Sequence, residues 1–450
     1  MESTLTIGII ITYLAALIII GFFSSKKIKN TKDFFLANRS LKTFPLTATI
    51  TATVVGGSAT IATAKLIYLN GIPSMWLDIG SAIGLIFLGL FFAQKVRKTG
   101  LFTLSEITGR FYDEKVRFVA AILIFITQIA WISLLIQGAG AIIYILFPYD
   151  YTILLTIITI IFIIYTILGG QFAVVYTDII QFIIMIVGVC LIAAPLLFLK
   201  AAPDLGTIPQ GHLSFPINGN IGILSAASFF FMMFMPNIVG PDVYSKVLSA
   251  KDEKTAKLGT IYSGIFRGIF AISIGIIAVS AIVLVPGLDA SEAVFAMPKS
   301  FLVLGPVLSG VILATFISVI LSSADSVLIS SSTIFSVDII KKNNLKMSRI
   351  MICVIGILAL LLALYLQDIV DTLQLAYTVF TSGLTLPIIF GFYKEKTKVT
   401  SKGALVSLIL GGAVSLVCLY LIESVSSYAV LIGMLFSLIP LLLLRGTKNE

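Results

Sequence analysis

Charge is what this sequence has least of. Asp, Glu, Lys and Arg make up 11% of its 450 residues, against about a quarter in soluble globular proteins. The deficit excludes a water-soluble globule, and 58% hydrophobic residues with a mean hydropathy of +1.11 point the same way. No polar stretch is long enough for a second folded unit, so one membrane domain spanning 1–450 is expected. A lone histidine, His212 in a loop, and three cysteines give no metal-ligand spacing and no disulfide framework. Cys190, Cys353 and Cys418 all lie in apolar runs, where a buried reduced thiol is expected. An integral membrane enzyme needs a cluster of His, Cys or acids at one membrane face. The acids here are scattered, so no enzyme is expected. A cation channel is disfavoured too, because no filter-like loop is present.

What the sequence does have is a succession of apolar runs of about 20 residues, each able to cross the hydrocarbon core. About thirteen helices are expected, an all-α polytopic membrane protein. They fall at 5–24, 45–69, 74–94, 116–147, 151–170, 172–199, 223–245, 256–285, 300–338, 348–366, 368–393, 402–423 and 425–444. The first run lacks a basic leader and a small-residue cleavage site, and so is expected to be retained. Placing the N-terminus outside puts every Lys and Arg except Lys65, Lys200, Arg267 and Lys299 in cytoplasmic segments, as positive-inside orientation requires. That set includes Lys26, Lys27, Lys29, Lys32, Arg117, Lys246, Lys251, Lys342 and Lys448. The opposite side collects Glu2, Asp150, Asp204, Asp289, Glu292, Asp368, Asp371 and Glu423. The net charge of +9 therefore belongs to short loops against a cell membrane, with no nucleic acid as partner and a cytoplasmic C-terminus.

Backbone polar groups inside a bilayer must be satisfied internally, so an unwound helix is tolerated only where it lines a cavity or is buried in protein. Two runs carry a break signal. The second contains Val55-Gly56-Gly57-Ser58, and the seventh contains Pro236-Asn237-Ile238-Val239-Gly240-Pro241-Asp242. Gly and Pro are also ordinary residues of membrane helices. Their matched places, however, are what two inverted five-helix repeats produce, with broken helices facing each other at a binding site. The repeats would cover 45–199 and 223–393, with one extra N-terminal helix (5–24) and two extra C-terminal helices (402–444).

The ninth run is rich in hydroxyls: Ser318, Ser322, Ser323, Ser326, Ser330, Ser331, Ser332 and Thr333, with Asp325 among them. Small hydroxyl residues let membrane helices pack closely, which covers 330–333. It does not cover Asp325, because a carboxylate at mid-membrane costs about 2.5–3.5 kcal/mol on insertion scales and marks a functional site by default. Neutral oxygens with one or two carboxylates suit a weakly held monovalent cation. Sodium fits, and a proton carried on a carboxylate is the competitor. A second buried acid, Asp178, either snorkels to water or faces the bundle as a cation ligand.

At four stretches the chain resembles the sodium:solute symporter family. They are Asp33-Phe34-Phe35-Leu36-Ala37-Asn38-Arg39-Ser40-Leu41, Thr103-Leu104-Ser105-Glu106 with Arg110-Phe111, the run from Gly169-Gly170 through Asp178 to Gln181, and Ser322-Ser323 through Thr333 and Asp338. The resemblance implies a LeuT-like five-plus-five core and a co-transported sodium ion. Its ligands would be the carbonyls of Ala52, Val55 and Val319 and the hydroxyls of Ser322 and Ser323. It also implies, for some members, a second cation site at the positions of Asp178, Ser322, Asp325 and Ser326. Here Asp325 stands where a serine is usual, so this position either holds an ion more tightly or carries a proton. Val54 stands where proline-type members have an acid, which weighs against proline as the solute. Some family relatives are sensors fused to a kinase, and the end of the chain at Glu450 sets that expectation aside.

A small-molecule solute is the implied partner, bound by a monomer. Its expected contacts are Gly56, Gly57, Ala59, Met233, Asn237 and Pro241 at the breaks, Gln128 and Gln137 on the fourth run, and Tyr377 as a gating aromatic. Gln128 and Gln137 are open to a plain helix–helix hydrogen bond. Lys65 is expected to attract an anionic solute, to snorkel outward or to pair with Asp78, and Asp242 to pair with Lys246. The topology yields a direct test. In a cysteine-free background in intact cells, Asp204→Cys should react with an impermeant maleimide, and Lys251→Cys only after permeabilisation. The reverse result would invert the orientation.

Overall fold

The computed structural model describes residues 2–25, 36–341 and 345–446, with only the backbone of 2–4, 14, 17, 18, 20–25 and 168–173. The basic residues 26–32 and 342, Lys448, and Asp33-Phe34-Phe35 of the first family-like stretch lie outside the described residues. Among the described residues the regular structure is all helix, with only isolated bridges at Leu41–Ala250 and Val399–Arg445. The main helices are α1 (Glu2–Ser25), α2 (Thr43–Val55), α3 (Gly57–Asn70), α4 (Trp76–Phe91), α5 (Glu114–Leu146), α6 (Tyr151–Ile184) and α7 (Ile223–Val239). They continue as α8 (Pro241–Ser249), α9 (Glu253–Leu284), α10 (Pro306–Ile334), α11 (Leu345–Tyr365), α12 (Ile369–Phe392), α13 (Ser401–Leu421) and α14 (Ala429–Leu443).

Ten helices among the described residues are long and apolar enough to cross a membrane, and α2 with α3, bent by 47°, makes an eleventh candidate. The two other expected crossings fall on α1 and on Tyr151–Ile167, a shorter apolar helix. The expected division near Gly170 is not marked by a non-helical residue, because α6 is helical through to Ile184 and continues in a π-helix, Met185–Ala193. The ninth span starts later than expected. Gly305 takes φ 86° and Pro306 occupies the first helical turn, so 296–302 forms a separate short helix. A proline belongs there because its missing N–H would be unpaired in any case.

Burial identifies the centre of the bundle. In the Pro306–Ile339 span 83% of the apolar window is buried, against 33% for the span holding α14. The peripheral helices turn aliphatic faces outward, as Ile153, Ile157, Ile160 and Ile164 do on α6, and lipid is their natural solvent. Several of the charged groups inside are held in pairs. Arg267 of α9 bonds to Asp78 of α4, both buried. Asp338, at the end of the α10 span, meets Arg117 Nη2 at 2.7 Å and the Ser105 hydroxyl at 2.6 Å. Two of the family-like stretches thus touch.

The slab formed by α4, α7 and α9 has almost no side-chain layer at its closest points. A Cβ at Gly80 or Gly84 would overlap the carbonyl oxygens of Phe230 and Phe234, and one at Gly264 would lie 2.9 Å from the Ala82 carbonyl. Backbones therefore pack against backbones, the approach that small residues permit in membranes. Gly84→Leu should destabilise the fold by at least the about 1–3 kcal/mol of an overpacked core. The check is a lower unfolding temperature and a smaller monodisperse fraction in detergent; an unchanged profile would contradict this packing.

Candidate functional site

The site is built where α2 stops. Gly56 takes φ 31° and ψ 90°, a conformation that residues with a Cβ rarely adopt, and the chain restarts as α3. The break leaves last-turn carbonyls without helical partners, as any helix end does. Gly56 O accepts the Ala59 amide at 2.9 Å, and Val55 O accepts the Thr60 hydroxyl at 2.8 Å. The Thr53 carbonyl is met from the other side of the bundle by Ser323 of α10, whose hydroxyl lies 3.1 Å from it and 3.0 Å from Val319 O. One hydroxyl thus joins the broken helix to the central one. The expected ligand positions Val319 and Ser323 meet the break here, with Ala52 and Val55 in the same buried last turn of α2. Ser322 turns away, donating to Asp178 Oδ1 on α6.

Asp178 also accepts the Thr49 hydroxyl on Oδ2, and that oxygen lies 3.8 Å from Lys246 Nζ of α8. All four side chains are buried, so the carboxylate faces the bundle rather than water. Ser326 lies 3.4 Å from the Thr53 hydroxyl. Asp325 accepts a hydrogen bond from Thr166 on Oδ1, while Oδ2 has no hydrogen-bond partner. Two expected pairings are therefore corrected. Lys246 is a buried residue rather than a cytoplasmic loop lysine, and it reaches Asp178 instead of Asp242, whose two oxygens have no hydrogen-bond partner. One turn apart on a short helix, Asp242 and Lys246 leave on similar bearings, but only the long lysine side chain extends to α6. Lys65 pairs with Asp368 at 2.6 Å, not with Asp78, because Arg267 already holds Asp78.

The second break is at Gly240, where a Cβ would stand 2.6 Å from the Pro236 carbonyl and 3.0 Å from Asp242 Oδ1. Two narrow cavities flank it. Asn237, Met233, Asp242, Ser81, Trp131 and Tyr377 line one of about 20 Å³; Gln128, Pro241, Phe380 and again Trp131 and Tyr377 line another of about 10 Å³. Of the expected solute contacts, Gln128, Met233, Asn237, Pro241 and Tyr377 line one or other of these two cavities. Gly56, Gly57, Ala59 and Gln137 do not line these cavities. Gln137 Nε2 donates to the Leu366 carbonyl and lies 3.4 Å from Ala363 O, a helix–helix contact. Gln128 lines a cavity and also bonds Ser330 Oγ at 3.3 Å, likewise a helix–helix contact.

Residues missed in the sequence are Thr49, Thr53, Thr166, Trp131, Ser81 and the buried role of Lys246. Thr49 and Thr53 carried a usable signal, since hydroxyls four apart share a helix face. Trp131 carried none, because an aromatic in an apolar run looks like lipid-facing bulk.

Comparison with known proteins identifies the family and the fold. A family model, the sodium:solute symporter family, matches residues 34–411. A high-affinity choline transporter of Caenorhabditis elegans is 24% identical over 82% of this chain and 70% of its own length. A sodium/pantothenate symporter of Haemophilus influenzae is 26% identical over 85% of this chain and 84% of its own. An osmoregulated proline transporter of Bacillus subtilis is 23% identical over 97% and 93%. Among solved structures, a Na+-coupled sialic acid symporter in a substrate-bound outward-open state superposes with a TM-score of 0.81 at 19% identity, covering 97% of both chains. A nucleobase-cation-symport-1 family transporter gives 0.61 at 14% identity, covering 91% of this chain and 93% of its own. These likenesses show the fold.

The buried pair beneath the cavity gives a test. Arg267→Leu, which strands Asp78, should cost about 3–5 kcal/mol, while Arg267→Leu with Asp78→Leu should recover much of that loss. Thermal unfolding of the three proteins measures it. A double variant no better than the single would mean that the pair acts through something other than its charge.

Proposed function

Because the chain belongs to the sodium:solute symporter family, we propose that it imports a small organic solute together with sodium by alternating access. The family and the solved neighbours are transporters, not enzymes. The observation that carries the reading is the Ser323 hydroxyl held between the Thr53 carbonyl at the break and the Val319 carbonyl on α10. Carbonyls and hydroxyls converging from two helices offer neutral oxygens to a hard monovalent cation. Sodium bound by Ala52, Val55, Val319 and Ser323, and by Ser322 once its hydroxyl leaves Asp178, would tie α2 to α10 and organise the solute cavity. That differential affinity between conformations is what coupling requires. In this proposal thirteen spans place the N-terminus outside and the C-terminus in the cytoplasm of the cell membrane, with two inverted five-helix repeats facing each other at Gly56 and Gly240.

The energetics suffice. One charge moving through 100 mV contributes about 2.3 kcal/mol, and a tenfold sodium gradient about 1.4 kcal/mol more. Together they support roughly several-hundred-fold accumulation. The solute is an amino acid, carboxylate or sugar-like molecule.

A second reading draws on a different observation. Asp325 has one unpartnered oxygen, and the Lys246 ammonium already stands beside Asp178 where a second cation would sit. A proton on Asp325 or Asp178 would then be the coupling ion. Unfolding temperatures in NaCl and in equimolar KCl separate the two readings. A ligand that binds only the folded state adds about 2.7 kcal/mol at a hundred times its Kd, so sodium should raise the wild-type unfolding temperature and fail to do so in Ser323→Ala. No sodium response, with a pH response abolished by Asp325→Asn, would replace sodium with the proton.

A further inference from the structure

At the end of the bundle where α12 stops and α13 begins, the surface opens into a hollow of about 840 Å³. Its walls are the tip of the short helix Leu104–Phe111, the last turn of α12, the Lys394–Thr397 helix with its loop to α13, and Gly446. Arg110, Lys394, Lys396 and Lys398 line it, and Glu395 is the one acid of its lining. Among the described residues none of these five side chains is in an ion pair. Lys95 adds to the positive potential, its Nζ 4.0 Å from the centre of the Tyr393 ring. Charges of one sign gathered in a concave surface draw the opposite charge to it. The hollow is also held in shape. Val399 and Arg445 form an antiparallel bridge, Gly446 N donates to Lys398 O at 2.8 Å, and the Thr400 hydroxyl donates to Leu444 O at 2.8 Å. Lys398 itself takes φ 53° and ψ 29°, just past the last helical residue. Glycine is the usual occupant of that left-handed position. A lysine kept there carries a backbone strain that a turn alone does not require.

The neighbouring surface indicates the source of the anion. Leu442 and Leu443 at the end of α14, and Ile409, Leu416 and Val417 along α13, are exposed aliphatic side chains of the kind that face lipid. A basic hollow beside an aliphatic strip matches a molecule with phosphate at one end and hydrocarbon at the other. Basic pockets between membrane helices hold such headgroups. We propose that this hollow binds the phosphate headgroup of an anionic membrane lipid. Lys396 and Lys398 meet the phosphate through charge-assisted hydrogen bonds, and the acyl chains lie along α13 and α14. Gly391 in the wall stands about four turns, roughly 21 Å, along α12 from Tyr377. The lipid site is therefore separate from the cavities at the second break and does not depend on which ion is carried.

The test titrates the purified full chain in detergent with short-chain phosphatidylglycerol, phosphatidylcholine of the same chains, and inorganic phosphate, following the unfolding temperature. Phosphatidylglycerol should stabilise wild type, and the other two at equal concentration should not. Lys396→Gln with Lys398→Gly should weaken the apparent affinity for phosphatidylglycerol by about tenfold or more. Removing two charges elsewhere, by Lys251→Gln with Lys254→Gln, should leave it unchanged. Lys398→Gly alone guards against a folding defect. It should raise the lipid-free unfolding temperature, because glycine relieves the left-handed backbone, and still lower the lipid response. A role confined to the turn would give the first change without the second. Equal stabilisation by phosphatidylcholine, no response to phosphatidylglycerol, or an equal loss in the two double variants would overturn the proposal. Inorganic phosphate as effective as phosphatidylglycerol would overturn the lipid and make the hollow a site for a soluble phosphate.

Discussion

A single ammonium group stands among three buried carboxylates. Lys246 lies against Asp178, and Asp242 and Asp325 are buried in the same core. With all four ionised, the core carries an excess of negative charge that lipid cannot compensate. The surrounding architecture answers this. Hydroxyls from α2, α6 and α10 converge on Asp178 and Asp325, and α10 runs through this region buried on nearly every side. A fold that could neutralise those acids permanently would have no reason to keep a broken helix beside them. The shortage of positive charge makes an arriving cation consequential.

Much of this was legible in the sequence, and for identifiable reasons. Helix existence follows from length and hydropathy, which is why the runs around α5, α9, α11 and α13 fall within a few residues of their expected bounds. Gly56 and Gly240 mark the breaks because glycine tolerates backbone angles that other residues rarely adopt and because Pro241 pushes the residue before it out of the helical region. Asp178 and Asp325 stood out because a charge in an apolar run is rare. Partners were less legible. The sequence shows that Lys65, Asp78, Arg267 and Asp368 exist, but two cations and two acids on four helices can pair in more than one way. Only the packing decides that Lys65 takes Asp368 and Arg267 takes Asp78.

Lys246 shows how the positive-inside pattern can mislead. That pattern counts basic residues near helix ends, and α8 is a short half-helix beginning at a break, so a lysine six residues past Gly240 resembles a loop residue. It is in fact inside the bundle. The hydroxyls of 330–333, expected to serve close helix packing, bond back to carbonyls three or four residues earlier, as Thr333 does to Ile329 at 2.6 Å. Composition locates polar groups along a helix without saying which of them look outward from it.

The backbone contact of α4 with α7 through Gly80 and Gly84 bears on motion. Side chains interleaved between two helices can change rotamer and let one helix slide past the other. Carbonyl oxygens seated against bare α-carbons have no such slack, so α4 and α7 must travel as one piece. The shear of a transport cycle is then left to seams of exchangeable hydroxyl contacts, such as the one between the broken helix and α10, where one hydrogen bond can be traded for another at little cost.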